Sequence, residues 1–166
     1  MLNRVIVILV ILGIFSCKQV NSEKEKLNFC QMLNDDQELK GQQRHNAFKA
    51  NFNSIIEYTK LNGFPNFDFN SLPQDSCKTW AIMGTLIHIV QSSPESVFKP
   101  EIIDLLSIEI GKGNLDPEDI YPAFKISTGG NQIFCDSLRP YIEETFVKWK
   151  MDIDLKSGFK YENCEN

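Results

Sequence analysis

The chain reads as mainly α: a compact single domain of about five to six helices with one small β-hairpin near the C-terminus. Three observations predict this. Apolar residues recur at 3- and 4-residue spacing over several separate stretches. The run CKTWAIMGTLIHIVQS, from Cys77 to Ser92, is apolar over most of a helical circumference. Glycines, prolines and capping acids fall at the ends of these stretches, and neither an internal repeat nor a composition shift divides the chain.

The beginning of the chain is a different kind of segment. Arg4 precedes VIVILVILGIF, an apolar run of 11 residues. That length suits a signal-peptide core and is too short for a membrane-spanning helix, which needs about 20 residues. The run ends in Ile14-Phe15-Ser16-Cys17. The expected organisation is a signal peptide over 1–16, a lipidated N-terminus and flexible tether over 17–26, and the domain over 27–166. The tether, KQVNSEKEK after Cys17, has too few apolar residues to fold alone.

Within the domain, Phe29, Met32 and Leu33 predict a first helix over 27–43. Phe48, Phe52, Ile55, Ile56 and Thr59 follow one face of a second helix over 46–61. Asn62-Gly63 stops it, and Pro65 follows. The central helix spans 74–92. On a wheel of about 100° per residue, Lys78, Thr85, His88 and Ser92 form one narrow polar stripe. Trp80, Ile82, Met83, Leu86, Ile87, Ile89 and Val90 form the apolar remainder. Ser93-Pro94 opens a short turn to Phe98, and Pro100 suits the first turn of a helix over 101–110. Gly111-Lys112-Gly113 ends it. Asp116-Pro117-Glu118-Asp119 is a helix start, leading to a short helix that ends near Phe124. The hairpin is expected over 125–134, turning at Thr128-Gly129-Gly130-Asn131. A last helix over 141–151 and a polar tail over 156–166 complete the chain.

Composition excludes one class of partner. The net charge is −5, and one unit more negative without Arg4. Basic residues do not cluster, so nucleic-acid binding, which rests on phosphate contacts, is not expected. Twelve phenylalanines predict an aromatic core. Apart from Cys17 there are Cys30, Cys77, Cys135 and Cys164, and their spacing fits no metal site. In an oxidising compartment, four cysteines allow two disulfides in three connectivities. Either at least one disulfide forms, with Cys135–Cys164 pinning the tail, or all four are buried thiols.

Ser16-Cys17 at the end of an apolar run resembles the bacterial lipobox, with Ile14 and Phe15 where that motif carries Leu and a small residue. The resemblance implies diacylglyceryl transfer to Cys17, cleavage before it and acylation of the new N-terminus. Two or more acyl chains give stable anchoring. Lys18, in place of Asp, implies the outer membrane of a two-membrane bacterium. A plain secretory signal with a chance cysteine is the alternative. The order of features in the domain resembles a bacterial domain-of-unknown-function family of secreted and lipid-anchored proteins. An Asp-Gln-bearing first helix leads to Asn…Ile-Ile…Gly-Phe-Pro, then to a buried helix ending in Val-Gln. A Leu-rich helix closing on glycine follows, then a Gly…Gln…aromatic hairpin and an Ile-Glu-Glu segment. The resemblance covers about 32–155 and implies no established activity. Asp36, Gln37, Gln91 and Gln132 match its polar positions. Ser92 stands where a histidine is expected, Pro122-Ala123 where an Asp-Arg pair is expected, and Phe134-Cys135-Asp136-Ser137 where Tyr-Gly-Thr-Gln is expected.

Of the two histidines, His45 and His88, neither lies at metal-ligand spacing from a Cys or from the other. His88 and Ser92 are one turn apart and share a helix face. A base beside a hydroxyl activates a nucleophile when a third group orients the base. No Gly-x-Ser-x-Gly elbow accompanies them. His88 could also stand in for the missing histidine one turn earlier. The pairs Asp35-Asp36 and Glu143-Glu144 point about 100° apart on a helix and do not converge unaided. Asp116, Glu118 and Asp119 lack EF-hand spacing and are explained by the helix they begin. Gly111-Lys112-Gly113 is a helix stop, not a phosphate cradle. No cofactor or metal is implied.

Two functions follow as expectations. The first is a lipid-anchored binding or interaction module of the bacterial envelope, with the membrane as one partner and an envelope protein or small ligand as the other. The second is a hydrolase using Asp36, His88 and Gln91, with Gln37, Ser92 and Gln132 as further members of the polar site. The second gains ground if the fold draws those three together beside an open pocket, and loses it if they scatter.

Overall fold

The computed structural model describes residues 26–66, 76–117, 120, 133–150 and 160–164. Helix α1 (Phe29–Glu38) starts at Asn28, whose side chain accepts from the Gln31 N–H and caps the first turn. It is shorter than the sequence predicts. Leu39 and Lys40 are extended, so the predicted 27–43 helix breaks there. Residues 41–45 instead begin α2 (Gly41–Asn62). Gly41, at φ +56°, takes a left-handed conformation that suits glycine at this break.

The α2 stripe is as predicted: Phe48, Phe52, Ile55, Ile56 and Thr59 are its buried residues. Gly63, at φ +84°, ends it. Helix α3 (Ser76–Ser92) is the centre of the core, with Ile82, Met83, Ile89 and Val90 fully buried. It packs against both α1 and α2. Trp80, grouped with the apolar cover in the sequence, is instead 47 % exposed. It falls about 20° from exposed Gln91 on the wheel, on the edge that α3 leaves open.

The expected turn after Ser93 is a one-turn helix, α4 (Pro94–Val97). Helix α5 (Pro100–Gly111) begins on its proline, as predicted, and buries Ile102, Ile103, Leu106 and Glu109. The predicted 116–124 helix lies mostly outside the described residues. Strand β1 (Ile133–Cys135) leads through a single 3₁₀ turn (Asp136–Leu138) into α6 (Arg139–Lys148). The Trp149 indole N–H donates to Ser107 Oγ at 2.9 Å and seats the end of α6 on α5. Lys148 pairs with Asp104 across the same junction.

The small two-stranded element near the C-terminus pairs β1 with β2 (Lys160–Glu162) in parallel. Ile133 faces Lys160, Phe134 faces Tyr161 and Cys135 faces Glu162. The second described strand therefore comes from the segment read as a polar tail, and it pairs in parallel. Three residues with one inward tyrosine are too short to register as an alternating strand in the sequence. The predicted turn at 128–131 lies outside the described residues.

Two disulfides complete the frame. Cys30 is bonded to Cys77, joining α1 to the start of α3. Cys135 is bonded to Cys164, joining β1 to the residues after β2. Among the described residues no helix is long and apolar enough to cross a membrane.

Candidate functional site

The end of α1, the first turns of α2 and the last turns of α3 meet at one polar cluster. Asp36 comes from α1, Arg44 from α2, and His88 and Gln91 from α3. His88 Nε2 lies 3.1 Å from Asp36 Oδ1, and Arg44 Nη2 donates to the same oxygen at 2.8 Å. Arg44 Nη2 is also 3.4 Å from His88 Nε2. On the other side of the ring, His88 Nδ1 is 3.1 Å from Gln91 Oε1. The Phe48 ring stacks on the imidazole with centroids 4.3 Å apart, and the Arg44 guanidinium lies over Phe48.

Local sequence explains the meeting. Arg44 stands one turn before Phe48, so it projects from the same side of α2 as the core stripe. His88 and Gln91 are three apart on α3 and face one another. Gly84, one turn before His88, allows α1 to approach closely. A Cβ there would sit 3.1 Å from Asp36 Oδ2. Glycine in a helix interior costs about 1 kcal/mol relative to alanine, and the close carboxylate accounts for its use.

Both ring nitrogens of His88 are engaged. With the proton on Nδ1, the ring donates to Gln91 and Nε2 accepts from Arg44. With the proton on Nε2, the ring donates to Asp36. In either tautomer both nitrogens face neighbouring side chains. Ser92 does not join the ring: its hydroxyl donates to the His88 carbonyl oxygen at 2.7 Å, a back-bond within the helix. The geometry ties three helices together and does not assemble a nucleophile with its base.

The other predicted residues fall elsewhere. Gln37 is exposed on α1. Thr85, from the polar stripe, is 3 % exposed and belongs to the core. Gln132 and Cys17 lie outside the described residues. Three surface cavities bounded by described residues lie away from His88. The largest, about 300 Å³, runs between α2 and α5 over buried Phe52, Ile56 and Ile102, with Lys49, Lys60 and Lys99 at its rim. Another, about 240 Å³, lies between α5 and α6 over Phe98 and Ile103, with exposed Tyr141 at its edge. A third, about 190 Å³, lies between α1 and α2 beside Asn28, Asp35 and Asn51. Among the described residues no group of three or more His, Cys, Asp or Glu side chains is placed to hold a metal.

Sequence reading missed two charged residues. Arg44 was hidden by the misplaced helix boundary; its i, i+4 relation to Phe48 is the signal that finds it. Glu109, at 1 % exposure, is the other. Its carboxylate accepts from the Phe64 N–H at 2.9 Å, from the Asn114 amide at 2.7 Å and from the Lys112 ammonium at 2.8 Å. Burial pushes this carboxyl up, but the bonds from Lys112, Asn114 and Phe64 outweigh it and hold the group below the ordinary carboxylate range. Glu109 therefore latches the turn after α2 to the turn after α5.

If the His88 cluster is a clasp, its members couple energetically. In a double-mutant cycle of Asp36→Asn and His88→Gln, a coupling of about 1 kcal/mol is expected, because both side chains are more than two-thirds buried. Urea denaturation of the four proteins measures it. Additive losses would mean that the contact contributes nothing.

Comparison of the chain with protein-family models, curated proteins and solved structures finds no match.

Proposed function

We propose that this chain is a lipid-anchored protein of the bacterial envelope whose helical domain is a binding or interaction module. The observation that carries the module reading is the engagement of both His88 ring nitrogens, by Asp36 or Arg44 on one side and Gln91 on the other. A general base needs a nitrogen within reach of the proton it removes. The location rests on the lipobox resemblance at Cys17 and on the short apolar run before it. The likeness of the domain to an uncharacterised family of secreted and lipid-anchored proteins agrees with it. Lys18 favours the outer membrane. The domain would then meet an envelope protein or small ligand while the acyl chains hold it at the lipid surface.

Mass spectrometry of the mature protein from the membrane fraction tests the anchor. The expected N-terminal peptide begins at Cys17 and carries a diacylglyceryl group and a third acyl chain. An unmodified N-terminus overturns it.

A hydrolase is the second reading, and one observation favours it: Asp36, His88 and Gln91 do come together, with 3.1 Å contacts on both sides of the ring. It requires Ser92 to leave the His88 carbonyl oxygen and His88 to free a nitrogen. Labelling of Ser92 by a fluorophosphonate, abolished in His88→Ala, would put this reading ahead. Absence of labelling is the expected result.

A further inference from the structure

The second disulfide sits on a weak part of the fold. Strand β2 meets β1 over three residue pairs. An isolated two-stranded pairing is marginal in water even when longer. The inward residue of β2 is Tyr161, which packs beside Phe134 with centroids 6.3 Å apart and under the Arg139 guanidinium at 4.3 Å. Its hydroxyl is buried with no hydrogen-bond partner among the described residues. Burial, with the negative charge of Glu143, pushes that phenol above its ordinary range, and Arg139 only partly offsets them. An orphaned buried hydroxyl weakens the seat of the strand that carries it. Among the described contacts, the covalent bond at its end is the firmest tie of β2 to β1 and holds the two strands at high effective concentration.

The Cys30–Cys77 bond is placed differently. It joins two helices that also meet through buried Met32, through the Asp36–His88 contact and through the close approach at Gly84. Those contacts keep the two sulfurs together when the bond is opened, so it re-forms readily. Among the described residues, opening Cys135–Cys164 frees the three-residue pairing of β2 with β1. Exposure does not separate the two bonds: Cys30 and Cys164 are both exposed, and Cys77 and Cys135 are both half-buried.

We propose that Cys135–Cys164 is a redox clasp: a dithiol reductant opens it selectively, β2 leaves β1, and the apolar face of Phe134 is uncovered while the helical core stays folded. One thiolate of the dithiol attacks Cys164 Sγ and forms a mixed disulfide. The Cys135 thiolate is expelled and takes up a proton. The second thiolate of the reductant then attacks the mixed disulfide, releases the Cys164 thiolate, which is also protonated, and closes to its own disulfide. Two electrons pass from the dithiol to the cystine pair. Phe134 is 1 % exposed in the closed form and contacts Phe98 edge-on, so opening uncovers a surface continuous with the core.

Two measurements test this on the full chain. In the first, the folded protein is incubated with dithiothreitol, and free thiols are trapped by alkylation and located by mass spectrometry. Cys135 and Cys164 are expected to be alkylated well before Cys30 and Cys77. Equal rates, or the reverse order, overturn the proposal. In the second, the double variant Cys135→Ser/Cys164→Ser is studied by amide hydrogen exchange. The amides of 160–162 are expected to lose protection to the level of an unstructured peptide, while α2 and α3 keep theirs. Tyr161 should then ionise in the ordinary phenol range near pH 10. A strand that stays protected, or a domain that loses protection as a whole, overturns the proposal.

Discussion

Replacing Cys30 and Cys77 together with serine is expected to lower the free energy of unfolding by about 4 kcal/mol, the loop-closure entropy of a crosslink spanning 47 residues. The bond crosslinks α1 to the start of α3 and so removes freedom from the unfolded chain over that span. The helix has 10 residues, and Met32 is its one buried side chain. Partial packing of Phe29 and Leu33, the Asp36 contacts and the close approach at Gly84 also hold α1 on α3. The disulfide removes part of the entropy from the unfolded chain and makes docking of α1 on α3 intramolecular over a short span. A loss of about 4 kcal/mol is a large share of the 5–15 kcal/mol that stabilises an ordinary domain. Urea denaturation followed by far-ultraviolet circular dichroism measures it. Hydrogen exchange in the surviving folded fraction should show α1 opening at lower free energy than α2 or α3. A loss below about 1 kcal/mol would mean that packing alone seats α1, and the entropic account would fail.

The fold was largely legible where burial imposes a period. In α2, residues 48, 52, 55, 56 and 59 recur at helical spacing because one face meets the core, and the structure buries those five. Helix α3 was legible because almost all its circumference is apolar, and so was the start of α5 on Pro100. The parts that were not legible depend on contacts distant in the chain. The break at 39–40 carries no proline, and glycine appears only at Gly41, so periodicity runs through it. Strand β2 lies on β1 beside the Cys135–Cys164 bond, a relation between residues 29 positions apart. The candidate site was half legible. Asp36, His88 and Gln91 were named as candidates and do come together, but Arg44 fell at a misplaced boundary. What the residues do there depends on whether Ser92 turns to the ring or to the backbone, which spacing does not decide. Glu109 was not legible for a simpler reason: a charge among isoleucines carries no sign of being on the buried face. Here the buried face runs Ile102, Ile103, Leu106, Glu109, and Ile108 is the exposed one at 53 %.

That inverted face leads to the second large effect. Glu109→Leu is expected to destabilise the domain by about 3 kcal/mol, although it replaces a buried charge with an apolar side chain of similar length. Such replacements are often neutral when the whole polar group is removed. Here the partners stay behind: the Phe64 N–H belongs to the backbone, and Asn114 Nδ2 points at the lost oxygen. Each stranded donor costs roughly 1–3 kcal/mol. Gly63 adds to this, since its left-handed turn packs within 3.0 Å of the same carboxylate and amide, measured from the position of a Cβ. Glu109→Gln retains one acceptor oxygen and should cost about 1 kcal/mol, mainly the lost attraction to Lys112. The pH dependence separates charge from shape. The folded carboxyl is held below its ordinary value of 4.5, so its contribution is fully present above that value and is lost as pH falls through the folded one. The gap in stability between the native protein and Glu109→Gln should therefore be constant from pH 7 to about pH 5 and shrink below it. Denaturation curves at a series of pH values read this directly. A gap that persists unchanged at pH 3 would show that Glu109 acts by its shape alone, with the Lys112 pair contributing nothing.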